Sequence, residues 1–132
     1  RWVAAALRCA ATEIEEGGHG VRIELVCVGD AARGVRADAL VSAGREAMLN
    51  AAKFAASGGP VSVYAEFGPG EAQVFVRDRG PGFDLEGVAA DRRGVRSSIL
   101  ERMTRHGGHA DIRPAPGGGT EVELRIDLPG DG

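Results

Sequence analysis

Apolar positions along the chain switch between two periods, and the switches mark eight elements. Residues 2 to 16, WVAAALRCAATEIEE, carry apolar residues at helical spacing until GGHG at 17 to 20 closes them, as a C-cap cluster does. VRIELVCV, 21 to 28, alternates instead, with Val21, Ile23, Leu25 and Cys27 on one face of a predicted strand. The longest helical pattern runs from 37 to 56 and is closed by SGGP. VSVYAEF at 61 to 67 and residues 71 to 78 alternate again, with GPG between them reading as a hairpin. A polar stretch, 79 to 93, lacks clear periodicity. Val95, Ile99 and Met103 then predict a helix over about 95 to 106, stopped by Gly107 and Gly108. Strands at 109 to 113 and 120 to 128 flank the turn PAPGGG. The order αβαββαββ, with its strands clustered in pairs, predicts an α+β fold. The expected form is a two-layer α/β sandwich with a mixed, largely antiparallel sheet and about three helices on one face.

Two polar placements cut across these patterns. Ala72, Val74, Val76 and Asp78 share one face of their strand, so Asp78 points toward the core just before a bend containing Gly80, Pro81 and Gly82. A carboxylate carried out of water costs several kcal/mol unless a donor meets it. Either the amides of the glycine-rich bend supply that donor in an Asx-turn, or Asp78 faces a ligand. On the long helix, Leu40, Val41, Gly44, Met48, Ala51, Ala52 and Ala55 form a core face, and Glu46, Asn50 and Lys53 stack opposite them. That stripe is either a solvated outer face or a constellation for chemistry. A carboxylate, an amide oxygen and an ammonium, each within about one turn of the next, can place a water, ligate Mg²⁺ and meet a phosphate.

Composition narrows the classes. The 132 residues suit one domain over 1–132, and 43% hydrophobic with only 5% aromatic content predicts a core of Val, Leu, Ile and Ala. A net charge of -3 with scattered Arg and Glu offers no basic stripe for nucleic acid. Cys9 and Cys27 lack zinc spacing and read as reduced thiols in a cytoplasmic setting. No apolar run reaches the ~18 residues of a membrane span, so no direct membrane contact is expected of this chain.

Four segments taken in order carry a resemblance. REAMLNAAKFA (45 to 55), DRGPGFD (78 to 84), GVRSSILERMTRHGG (94 to 108) and APGGGTEVEL (115 to 124) resemble the N box, G1 box, G2 box and terminal Gly-Thr element of the histidine-kinase ATP-binding domain. This family has the Bergerat fold, shared with anti-sigma-factor kinases, Hsp90 chaperones and type II topoisomerases. The likeness runs from about Arg36 to Leu128, nearest to short-lid sensor kinases of the nitrate-sensor and desaturase-regulator type with a membrane sensor ahead of the catalytic domain.

The resemblance implies Mg²⁺ and ATP as cofactors. It implies that Asp78 accepts a hydrogen bond from the adenine amine, that Thr120 with Gly119 lies beside it, and that Gly80 and Gly82 let the backbone pass close to the nucleotide. Phe83 would begin a lid over about 79–94, and Gly94 with the Val95 and Arg96 backbone would form its far hinge at a helix N-terminus. Asn50 would ligate Mg²⁺, Glu46 would support it through a bound water, and Lys53 would contact phosphate. The implied partners are the acceptor-histidine dimerisation domain of a parent kinase, membrane-anchored through its sensor, and a downstream response regulator. Two departures stand out: Phe54 replaces the common histidine after Lys53, and Ser97 replaces a second G2-box glycine, which stiffens the hinge. His19, His106 and His109 all sit in or beside glycine turns, and none is expected to be the phosphoacceptor. The alternatives are a stand-alone serine kinase of the anti-sigma-factor type and a degenerate, non-catalytic nucleotide-sensing module.

Overall fold

The computed structural model describes residues 2–18, 20–54, 60–78, 89–114 and 119–128, with the backbone alone at 54, 89–96 and 114. Gly80, Gly82, Phe83, His19 and Ala55, and with them most of the expected lid, lie outside the described residues. The elements are α1 (Val3–Glu15), β1 (Ile23–Val28), α2 (Val35–Phe54), β2 (Val61–Gly68), β3 (Glu71–Arg77), α3 (Ala89–Arg105), β4 (His109–Pro114) and β5 (Thr120–Asp127). Their order is the expected one.

The five strands form one sheet in the order β1-β2-β3-β5-β4. Only β1 and β2 pair in parallel, joined through α2 as a crossover requires, and the other pairs are antiparallel. The α+β sandwich is therefore the observed fold, with a mixed and largely antiparallel sheet. The helices cover one face: α2 lies centrally on β3 and β5, flanked by α1 over β1 and α3 over β4.

Alternation decides which side chains meet that layer. Val61, Val63, Ala65 and Phe67 of β2, Ala72, Val74 and Val76 of β3, and Val122, Leu124 and Ile126 of β5 are all buried. They meet Leu7 of α1, Leu40, Ala47 and Met48 of α2, and Ile99 and Met103 of α3 in one apolar cluster. The small residues of α2 let it sit close to the sheet; a Cβ on Gly44 would lie 3.4 Å from Leu7. The other sheet face mixes polar side chains with the exposed Val26 and Val28 and an aromatic pair, Tyr64 and Phe75, tilted together at 6.3 Å.

One boundary differs from expectation. α3 begins at Ala89, not near 95, so Gly94, Val95 and Arg96 lie inside the helix and not at its N-terminus. AADRR, 89 to 93, carries no apolar period but consists mostly of good helix formers, so propensity extends the helix where periodicity is silent. Its C-terminus does end as expected: Gly107 adopts φ +81°, and the Gly108 and Gly107 amides donate to the Met103 and Thr104 carbonyls. His106 is half-buried in this turn and not fully exposed, while His109 is exposed at the start of β4.

Candidate nucleotide-binding site

The site is built at the end of the sandwich where α2 finishes. Residues 55–60 link α2 to the start of β2, and Ser62 pairs with Arg77, which brings the end of β3 to the same pole. Arg77 in turn pairs with Glu121, which places Asp78 beside Thr120.

Asp78 is 3% exposed and Thr120 likewise 3%, the two polar residues buried among the described side chains. Hydrogen bonds tie them in both directions. The Asp78 amide donates to the Thr120 carbonyl at 2.9 Å, and the Thr120 amide donates to Asp78 Oδ1 at 3.2 Å. The carboxylate thus receives a donor from the neighbouring strand, while the bend whose amides the sequence offered as an alternative lies outside the described residues. A hydrogen bond to a charged group is worth about 1.5–3 kcal/mol, which offsets part of the desolvation cost. Gly119, buried just before Thr120 with φ +90°, takes a left-handed conformation that a residue with a Cβ reaches only under strain.

The polar stripe of α2 meets a second helix. Glu46 and Asn50 are half-buried, and only Lys53, in the last turn, is exposed. Glu46 Oε1 accepts from Arg102 Nη1 at 2.9 Å and from Ser98 Oγ at 3.2 Å, both on α3. A solvated outer face is therefore excluded for Glu46 and Asn50. Asn50 Oδ1 is buried with no hydrogen-bond partner among the described residues. Such an oxygen forgoes about 1–3 kcal/mol, so it marks a place where a donor or a cation would be stabilised.

Of the expected site residues, the structure brings Asp78, Gly119 and Thr120 together at the ends of adjoining strands and sets Lys53 in the last turn of α2 at the same pole, with Asn50 and Glu46 about one and two turns before it. Gly94, Val95 and Arg96 lie within α3, five to seven residues past its first residue, Ala89. Arg102 and Ser98 were missed. Their i, i+4 spacing on the predicted helix was a usable signal, since it mirrors that of Glu46 and Asn50.

The family described as histidine kinase-, DNA gyrase B-, and HSP90-like ATPase matches residues 35–130. The chain belongs to that family. The match starts at the first residue of α2 and includes every site residue above. This ATPase-family chain is 40% identical over 86 residues to the sensor histidine kinase component HK1 of Mycobacterium tuberculosis (strain ATCC 25618 / H37Rv), covering 54% of this chain and 50% of that protein. It spans about half the length of that curated relative. Its fold resembles the ATP binding domain of PrrB from Mycobacterium tuberculosis, with a TM-score of 0.71 at 21% identity over 95% of this chain and 93% of that one. It also resembles the histidine kinase domain of a blue-light activated histidine kinase from Erythrobacter litoralis, with a TM-score of 0.73 at 19% identity over 96% and 61%. The fold is that of histidine-kinase ATP-binding domains. Among the described residues no helix is long and apolar enough to cross a membrane.

Proposed function

We propose that this chain binds Mg-ATP at the pole formed by the end of α2, the end of β3 and the start of β5, and donates the γ-phosphoryl group to a histidine on a separate acceptor domain of a two-component sensor kinase, from which a response regulator receives it. The observation that carries this reading is the buried Asn50 Oδ1, unpartnered among the described residues. Its chemistry fits a hard cation, because Mg²⁺ prefers oxygen donors and is held by few protein groups together with substrate phosphates.

Asn50 would hold the ion, with Glu46 reaching it through a bound water. When bound, Mg²⁺ neutralises charge on the phosphate oxygens. Asp78 accepts from the adenine amine; guanine presents a carbonyl there, so two acceptors would face each other. The Thr120 amide keeps the Asp78 carboxylate in place, and the exposed Lys53 ammonium meets the phosphates. Gly80, Gly82 and Phe83 would shape the backbone against the nucleotide, and phosphate contacts at the start of α3 fall to its first turn. Transfer then requires position and electrostatics more than covalent chemistry by the protein.

Titration of wild type, Asp78→Asn and Asn50→Ala with adenosine and with ATP, each with Mg²⁺ or a chelator, tests this. Asp78→Asn weakens both ligands. Asn50→Ala keeps adenosine binding and loses most of the gain that Mg²⁺ gives ATP; retention of the full gain refutes the metal assignment. With labelled ATP, phosphohistidine forms only when an acceptor domain is added in trans.

A further inference from the structure

We propose that Arg102 and Ser98 are positioning residues that orient Glu46 in the nucleotide site, an inference that rests on the Mg-ATP reading above. Glu46 and Asn50 form an i, i+4 pair on α2, and Ser98 and Arg102 form another on α3. The two helices pack together, and Glu46 of the first pair meets both residues of the second across their contact. The side chains of Arg102 and Glu46 are 36% and 28% exposed, so the ion pair is partly shielded, and it joins residues 56 positions apart in the chain. Exposed pairs within one helix contribute little because both side chains must be ordered in high dielectric. Here the ordering is already done on one side: Ile99 and Met103, adjacent to the two donors, are buried in the core and fix the helix that carries them.

Both donors end on the same oxygen. The last torsion of a glutamate is broad, so an isolated Glu46 would spread its two oxygens over many directions. Two donors on Oε1 select one arrangement and leave Oε2 without a donor among the described residues. That oxygen is the one able to accept from a water on a cation held by Asn50, one turn further along α2. Arg102 and Ser98 thus act one step beyond Glu46, itself an outer partner of the cation, so their loss should fall at the low end of the about 10–100-fold in metal affinity that outer contacts contribute.

Arg102→Met, Arg102→Lys, Ser98→Ala and the exchange Glu46→Arg with Arg102→Glu are compared with wild type by adenosine and ATP affinity, with Mg²⁺ and with chelator, and by ligand-free melting temperature. Arg102→Met lowers the Mg²⁺-dependent gain in ATP affinity about tenfold and leaves adenosine affinity unchanged; Ser98→Ala does the same to a smaller degree. Arg102→Lys, which keeps a charged donor, recovers most of the gain. The exchange re-forms the pair between α2 and α3 and restores the melting temperature, yet the gain stays lost because the carboxylate is now on the wrong helix. A full gain in Arg102→Met, or a gain recovered by the exchange, overturns the proposal and leaves a purely structural ion pair. Wild type lacking any Mg²⁺ gain overturns the Mg-ATP reading itself, and this inference with it.

Discussion

Replacing Asn50 by leucine should make the ligand-free protein more stable while damaging its site. Asn50 sits on α2 with Oδ1 buried and unpartnered among the described residues, so the fold carries the desolvation of an amide oxygen without a compensating bond. That penalty is about 1–3 kcal/mol, and an apolar side chain of similar shape removes it. Leucine also exceeds asparagine in helix propensity by a fraction of the ~0.7 kcal/mol span of ordinary residues. Asn50 is only half-buried, so the lower part of the range applies, and a net gain of about 1–2 kcal/mol follows. For a chain of this length that is a rise in melting temperature of about 3–8 °C. Calorimetry and urea melts without nucleotide measure it, with an unchanged urea slope as the check that only stability moved. Asn50→Asp, which puts charge on the same buried oxygen, should melt below wild type. Saturating Mg-ATP at about 100 times its dissociation constant adds about 2.7 kcal/mol to wild type and far less to Asn50→Leu, so the order of melting temperatures inverts. An Asn50→Leu protein that melts at or below wild type without ligand, with the same urea slope, refutes the reasoning, because Oδ1 would then already be satisfied.

Three further outcomes follow from the packing and the thiols. Leu124→Ala, at a fully buried position of β5 between β3 and β4, should cost about 2–5 kcal/mol in urea melts. Gly107→Ala forces a side chain into φ +81° at the end of α3 and should cost about 1–2 kcal/mol, read by the same melts. Burial pushes the Cys27 thiol up, with Arg8 opposing the shift and Asp30 adding to it. The folded state therefore keeps this proton longer than the unfolded chain. Its contribution to stability is full below the unfolded value and lost as pH rises through the folded one, so Cys27→Ala should flatten the alkaline decline in melting temperature.

The periods of two and 3.6 residues in the sequence already contained the eight elements, their order and most of the buried faces. They put Asp78 in line with Val74 and Val76, and the structure buries all three. This was legible because a side chain's direction along a strand or helix depends on its own neighbours in the chain. The four boxes likewise sufficed to place the chain among histidine-kinase ATP-binding domains. The start of α3 escaped, since AADRR is helical without an apolar stripe to announce it. The insertion of β5 between β3 and β4, and the parallel pairing of β1 with β2, required knowing which strands meet, and sheet pairing is not local. The same holds at the site. Asp78 finds a donor on Thr120, 42 residues away, and Glu46 finds Ser98 and Arg102, 52 and 56 residues away. A stripe of Glu, Asn and Lys reads the same on a helix facing water and on one facing another helix. The packing of α3 against α2 takes Glu46 partly out of water, the tertiary structure does the same for Asn50, and it is loss of water that makes an amide oxygen costly to leave alone and a carboxylate worth holding in one orientation.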